Sequence, residues 1–596
     1  MRLNWKSILQ YGLITGVAIV FVSLVGMIEA FNVRFVIDQV LSLGRTLVVG
    51  ISLGLGYAAA KKLGEGKPAQ AIISSLISGA IGGGVTALLA LAVNTWPGMR
   101  DMFVNASPNL VKILTFSQTS IGTGLAILIA TVAGISVIGA VIELLPRIPR
   151  RLIIIGLSAV VLFGMLQELL DVLMARFAPT KTLADFLFGR KGLSIGGAIA
   201  IFVIFALLNG LWAWQNKAAK NAVRQLPPAQ RRVFNWALIA VVVVFMFFLP
   251  ELTGPYITQI LVLVGIYTLM GLGLNIDIGL AGLLDLGFVG FFAIGAYTVG
   301  LLTSTANLGL AHVVNGQTGA AFTPFWVAIP IAVLVAAMFG AFLGIPVLRM
   351  RGDYLAIVTL GFAEIIRILV LSNFLQPYLG GAQGILNIPK PGIGYLLPLE
   401  QMLPASLKGF FFSPDGFIKN PQHFYYLIVL ACLLVGFVAW RLQNARIGRN
   451  WMAIREDEDV AEAMGINLIA SKLLAFGTGA AFAGFGGAIF AAQVGSIFPH
   501  SFGMIVSINV LSLVIIGGSG NIPGVIVGAL VLVGLPELLR EFSEFRMLIY
   551  GMLLVVMMLV KPEGFLPSEV RRRELHDDNL TIPEDVEPVI AAGQSA

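Results

Sequence analysis

A single cysteine, Cys432, stands in 596 residues, so no intrachain disulfide can form and the redox compartment leaves no trace. Histidine is nearly as scarce: His312, His423, His500 and His576 are the whole set. All four fall in loops, at the edge of an apolar run or in the tail, which argues against the titratable relay that gradient-driven carriers commonly hold at membrane depth. Charged residues are only 12% of the chain, about half the share of a soluble domain, too few to cover an ordinary water-exposed surface. The phosphate-binding pattern G-x-x-x-x-G-K-[ST] is absent. Gly66-Lys67 runs into Pro68, and the glycine-rich GGSGNIPG at 517–524 has no lysine and reads as a tight inter-helix turn. No serine, cysteine, histidine or paired-carboxylate constellation lies at depth, and no metal-ligand set is found, so an intramembrane enzyme is a poor fit.

Apolar residues fill the space instead. They make up 58% of the sequence, mean hydropathy is +0.92, and the runs reach about 20 residues, enough to cross a hydrocarbon core as helix. The runs do not alternate in polarity, which excludes a β-barrel. The fold class is therefore an all-α polytopic membrane protein of about sixteen transmembrane segments. The 68 glycines suit helices that approach closely in lipid. Arg2 and Lys6 precede an apolar run from Ile8 to Ile28 that is too long for a cleaved leader, and it reads as a retained first span. The net charge of +7 sits in short loops between spans, so it marks orientation rather than nucleic acid.

With a cytoplasmic N-terminus, the basic loops 61–70, 146–151, 215–232 and 441–469 and the arginines 571–573 all fall inside. The cation-poor stretch 374–422 falls outside, and only 174–192 breaks the rule. Both termini are then cytoplasmic. The polar loop 215–232, ending in Pro227-Pro228, separates an N-terminal extension of about six spans (1–214) from a second group of about ten (233–568). The acidic tail 569–596 lacks apolar periodicity and is expected to be disordered.

One dense polar loop interrupts the second group: RLQNARIGRNWMAIREDEDVAEAMGIN at 441–467, within the cytoplasmic loop 443–469. A helix is expected from Arg455 to Met464, with Glu456, Asp457, Glu458 and Asp459 at its N-terminal end, where the helix dipole favours anions. Val460, Ala461 and Met464 make a small apolar stripe, and Gly465 suits the left-handed residue that ends it. Such a helix suits docking into a groove on a soluble partner. At membrane depth, Glu364 and Arg367 lie three apart and can pair, either to fix packing or to line or gate a path. Asp277 and Asp285 flank a Leu-Ala-Gly break where half-helix ends could face a zwitterion; Asp277 is expected at the cytoplasmic end of its span. Asn275, Asp285, Glu364 and Arg367 are the candidates for a translocation path. Gly479, Gly484, Gly486 and Gly487 are expected to let the span after the loop pack closely.

Several blocks in the second group resemble the permease of branched-chain amino-acid ABC importers, LivM type. They are GLGLNIDIGLAGLLDLGFVGFFAIGAY (271–297), PVLRMRGDYLAIVTLGFAEIIRIL (346–369), GGAQGI (380–385), GRNWMAIREDEDVAEAMGIN (448–467), KLLAFGTGAAFAGFGGAIFA (472–491) and KPEGFLP (561–567). They run in family order over 271–567, about half the chain. The resemblance implies that the second group is the permease core and that the loop is a coupling helix carrying Arg455, Glu456, Asp457, Val460, Ala461, Met464 and Gly465. It also implies a second permease subunit, two cytoplasmic ATPase subunits that bind the ATP and magnesium, an external solute-binding protein, and a bacterial inner membrane. This chain would then be no enzyme and carry no cofactor. Branched-chain amino acids are the expected cargo, with urea, amides or other neutral amino acids as alternatives; an ion-gradient-driven carrier is the rival of another class. Leu379 and Asn521 stand where the family often has threonine, or threonine or serine. The first 230 residues hold no second copy of these blocks, so the partner permease is expected to be a separate chain.

Overall fold

The structure is a computed structural model describing residues 4–64, 67–96, 98–176, 178–225, 228–306, 310–316, 319–347, 350, 352–392, 418, 420–538, 540 and 545–567. The expected disordered tail, with Arg571–Arg573, lies outside these. Two compact units, Met1–Val241 and Val242–Ala596, divide the chain. Among the described residues, ten helices are long and apolar enough to cross a membrane, and five more are apolar but shorter.

The first unit is a helix bundle: α1 (Trp5–Leu24), α2 (Leu43–Leu63), α3 (Pro68–Thr95), α4 (Ile121–Leu144), α5 (Arg147–Met165) and α6 (Ile195–Gln225). Asn4, Ser42 and Ser120 cap α1, α2 and α4, each accepting an N–H three residues on. Helices α2 and α4 cross at backbone contact, because a side chain at Gly139 would strike the Leu53 carbonyl. Ser136 Oγ donates to the Ser52 carbonyl across the same crossing at 3.2 Å. Hydropathy gave no hint of the hairpin β1 (Phe35–Ile37) and β2 (Leu41–Ser42). Its outer edge is completed from far along the chain, by Phe35 N–H to the Lys191 carbonyl and Asp38 N–H to the Leu193 carbonyl. Helix α5 stops at Met165, where Gly164 lies against the Val36 backbone. Glu29, Glu143 and Glu168 sit near helix ends with partners, Glu143 pairing with Arg150 at 2.8 Å.

One element, α7 (Pro228–Leu274), leads into the second unit and is broken at Gly254 (φ 77°) between Pro250 and Pro255. A π turn, π1 (Asn275–Leu280), and a non-helical stretch 281–287 follow, before a short helix, α8 (Phe288–Thr303). Then come α9 (Phe325–Val347), α10 (Asp353–Leu371), α11 (Pro421–Asn444), α12 (Arg446–Glu456), α13 (Glu458–Ala463), α14 (Leu468–Val494), α15 (Met504–Gly517), α16 (Ile522–Ala529, continued by a second π turn to Leu538) and α17 (Arg546–Val560).

Helix α14 is the centre of this unit, and its glycines explain why. Side chains at Gly484 and Gly487 would collide with Ala336 on α9 and the Phe292 carbonyl on α8, and one at Gly479 would collide with Asp277. Only Gly486 of the expected four meets ordinary contacts, the nearest at 3.6 Å. The terminal KPEGFLP motif also has a structural task. Phe565 and Leu566 N–H groups donate to the Ile516 and Gly517 carbonyls at 2.7 and 3.0 Å, closing the end of α15. Asn521, a departure from the family pattern, donates to the Leu566 carbonyl at 2.9 Å and secures the same closure.

Gly487→Val should destabilise the purified protein by about 1–3 kcal/mol or more through overpacking. Gly477→Ala on the same helix, where the new methyl has a nearest neighbour at 3.6 Å, should be close to neutral. Thermal unfolding of both variants in one detergent decides it, and equal midpoints would refute this account of α14.

Candidate functional site

The polar loop folds as two helices rather than one. Asp457 adopts extended backbone (φ −158°), which ends α12, and its Oδ1 accepts from Asp459 and Val460 N–H at 2.9 and 3.0 Å, which starts α13. The single helix expected over Arg455–Met464 is thereby corrected: Arg455 and Glu456 finish one helix, and Asp457 caps the next. The expected apolar stripe divides as well. Ala461 is buried, whereas Val460 and Met464 stand 59% and 79% exposed. Gly465 has the left-handed backbone expected of it (φ 87°).

Two long-range contacts hold this loop to α14. Trp451 is fully buried and its Nε1 donates to the Ser471 carbonyl at 2.8 Å. Lys472, almost wholly buried, pairs with Glu458 at 2.8 Å. Neither was legible locally, because each partner lies on the far side of a turn.

On its other side the loop reaches the broken helix. Arg455 Nη1 donates to the Gly279 carbonyl, in π1, at 2.9 Å. Asn275 Oδ1, in the same turn, accepts from Gly520 N–H at 2.7 Å, and Gln443 Nε2 donates to the Gly520 carbonyl at 3.1 Å. So the polar loop, the π turn and the 517–521 turn form one hydrogen-bonded junction. Around it lies a cavity of about 350 Å³ whose walls include Leu280, Gln443, Met452, Arg455 and Glu456.

The expected path residues do not form one cluster. Asn275 is buried in the junction and acts as a backbone clamp. Asp285 is buried and its Oδ1 accepts from Gly287 N–H at 2.8 Å, while Thr359 Oγ1 accepts from Leu286 N–H at 3.0 Å; both serve the start of α8. Asp277 is fully buried against Gly479, and among the described residues neither carboxylate oxygen has a hydrogen-bond partner. Glu364 and Arg367 pair as expected, through Arg367 Nε at 2.9 and 3.0 Å and through Nη2, on an exposed face of α10.

At the other end of α14, GGAQGI pairs with the chain beyond it: Ile385 and Ile497 exchange both backbone hydrogen bonds, at 3.0 and 2.8 Å. Lys390, which sequence reading passed over, donates to the Ala492 and Gln493 carbonyls at the C-terminus of α14. Burial holds its ammonium below the ordinary lysine range.

A family model described as "Branched-chain amino acid transport system / permease component" matches residues 256–560. The chain belongs to that permease family. It is 41% identical over 384 residues to the high-affinity branched-chain amino acid transport system permease protein LivM of Escherichia coli K12, covering 63% of this chain and 84% of that protein. The probable LivM of Methanocaldococcus jannaschii is 22% identical over 347 residues, covering 52% of this chain and 94% of its own length. The permease LivH of Escherichia coli K12 is 24% identical over 308 residues, covering 50% of this chain and 91% of its own length. No solved structure matches. The matched segment of the permease contains α14, both breaks and the coupling loop; residues 1–255 precede it.

Glu458→Ala leaves a buried unpaired ammonium and should cost the permease about 3–5 kcal/mol. Lys472→Met replaces that ammonium with an apolar chain of similar length and leaves a carboxylate that is 20% exposed, against 4% for the lysine, so it should cost less than the Glu458 change. Calorimetry of the two purified variants tests the order; a larger loss for Lys472→Met would reverse it.

Proposed function

We propose that this chain is a transmembrane permease subunit of an ATP-driven importer of branched-chain amino acids, moving solute inward by alternating access. An external binding protein delivers the solute, a second permease completes the membrane core, and two cytoplasmic ATPase subunits bind ATP and magnesium. The chain itself hydrolyses nothing. It lies in a bacterial inner membrane with both termini cytoplasmic. The names of its relatives support the cargo, and LivM and LivH, both named as permeases of the high-affinity branched-chain system in Escherichia coli K12, support a pair of unlike permeases.

One observation carries the coupling assignment. The helix α13 offers Val460 and Met464 outward while Arg455, at the end of the preceding helix, grips the carbonyl of a π turn in a broken transmembrane helix. Outward apolar side chains suit a groove on the ATPase. The Arg455 bond then converts displacement of the loop into displacement of the break, where discontinuous helices commonly meet solute. Driving force enters as the partners' different affinities for two states of the permease.

Met464→Asp should prevent ATPase subunits from co-purifying and lower uptake in proteoliposomes about tenfold or more. Arg455→Gln should keep the ATPases bound and hydrolysing while uptake falls by a similar factor. Normal, substrate-stimulated uptake by Met464→Asp would refute the coupling role. Competition by leucine, isoleucine and valine, set against urea and acetamide, tests the cargo.

A further inference from the structure

Helix α10 presents a stripe at heptad spacing: Tyr354, Ile357, Gly361, Glu364, Ile368 and Leu371. The spacing is that of a helix–helix seam, yet this stripe is uncovered within the second unit. Tyr354, Ile357 and Ile368 are 75%, 65% and 55% exposed, and a methyl added at Gly361 would meet nothing within 4 Å.

Two other helices of the unit also expose stripes, and the contrast is informative. Helix α9 shows Val327, Leu334, Met338 and Phe342, and α11 shows Leu430, Leu433 and Phe437. Those faces are wholly apolar, as contact with lipid requires. The α10 stripe instead carries one member of the Glu364–Arg367 ion pair, whose side chains are 44% and 33% exposed, well inside a transmembrane helix. Ionisable side chains at this depth face protein or an aqueous cavity, not lipid. One turn below, Gly361 leaves a bare patch on the same face. Within this unit it packs nothing, but it would allow a neighbouring helix to approach closely.

We infer that the α10 stripe is the seam against which a transmembrane helix of the second permease packs, with its backbone at Gly361 and a hydrogen-bonding side chain at Glu364. This rests on the reading above that a second permease exists. A second copy of this chain fits less well, because a parallel two-fold pair would set Glu364 against Glu364 across the seam, and like charges there repel.

The test replaces the lone Cys432 with alanine and introduces cysteine singly at Ile357, Gly361 and Ile368, with Leu334 and Leu433 as controls on α9 and α11. Tagged full-length protein, expressed with its native partners, is labelled in membranes with a benzophenone maleimide, whose photoexcited ketone inserts into C–H bonds of whatever chain lies against it, then irradiated, and the products are identified by mass spectrometry. The seam predicts cross-links from all three α10 positions to an unlike permease, and none from the controls. Gly361→Leu, whose Cβ meets nothing within 4 Å in this chain, should lower the recovered second permease about tenfold while the variant itself stays monodisperse. An unlike permease that co-purifies but cross-links only from α9 or α11 overturns the seam and leaves the functional reading standing. Cross-links only between copies of this chain, or labelling of α10 by hydrophilic maleimide without any cross-link, also overturn it. Absence of any second permease from the purified complex defeats the functional reading itself.

Discussion

Inside the hydrocarbon no water can satisfy the backbone that a helix break sets free, so each such N–H and C=O must find its partner in the protein. The second unit of this permease is organised around that constraint. Its central region is broken twice, at 275–287 and at 517–521, and polar side chains meet the freed groups. Asn275 and Gln443 take the two sides of Gly520, Asp285 and Thr359 take the amides that open α8, and the KPEGFLP segment closes the end of α15. Arg455 belongs to the same set, although it comes from the cytoplasmic loop. The loop is thus one of the partners that the broken helix depends on.

This explains which features could be read from the chain and which could not. Apolar runs report burial in lipid directly, so the class and most span positions followed from hydropathy. The polar loop stood out because its charge density contrasts with the apolar runs on either side. Its internal break was hidden: the acidic run suits a helix N-terminus wherever it is placed, and only the backbone of Asp457 decides that the start falls there. Arg455 and Gly279 are separated by 176 residues, and Asn275 and Gly520 by 245. No local pattern encodes such pairs. The hairpin at 35–42 was missed for the same reason, because its edge is completed by Lys191 and Leu193. The burial of Asp277 was hidden as well: the π turn and the bare surface of Gly479 bring it fully inside.

The glycines of α14 follow from the same geometry. A helix that touches two neighbours at backbone distance cannot tilt freely against either, so displacement of its N-terminal end carries α8 and α9 with it. Lys472 and the Ser471 carbonyl fix that end to the polar loop, through Glu458 and Trp451. At the opposite end, Lys390 and the Ile385–Ile497 pairing fix it to the segment 385–390. One rigid helix therefore spans from the proposed ATPase contact to the face where solute would arrive.

The junction around π1 is held differently, by single side chain–backbone bonds. Three of them, from Arg455, Asn275 and Gln443, contribute about 0.5–1.5 kcal/mol each, or roughly 1.5–4.5 kcal/mol together if they add. Reversing a two-state population from 1:99 to 99:1 takes about 5.5 kcal/mol of differential affinity. The bonds are therefore strong enough to favour one arrangement at rest and weak enough for partner binding to exchange them. A continuous helix at 275–287 would offer no such choice, since its ladder of internal bonds would have to break as a whole. The break at 275–287 and its repair by Arg455 of the polar loop are thus two halves of one arrangement: the first creates alternative partners, and the second ties the choice among them to the position of the loop.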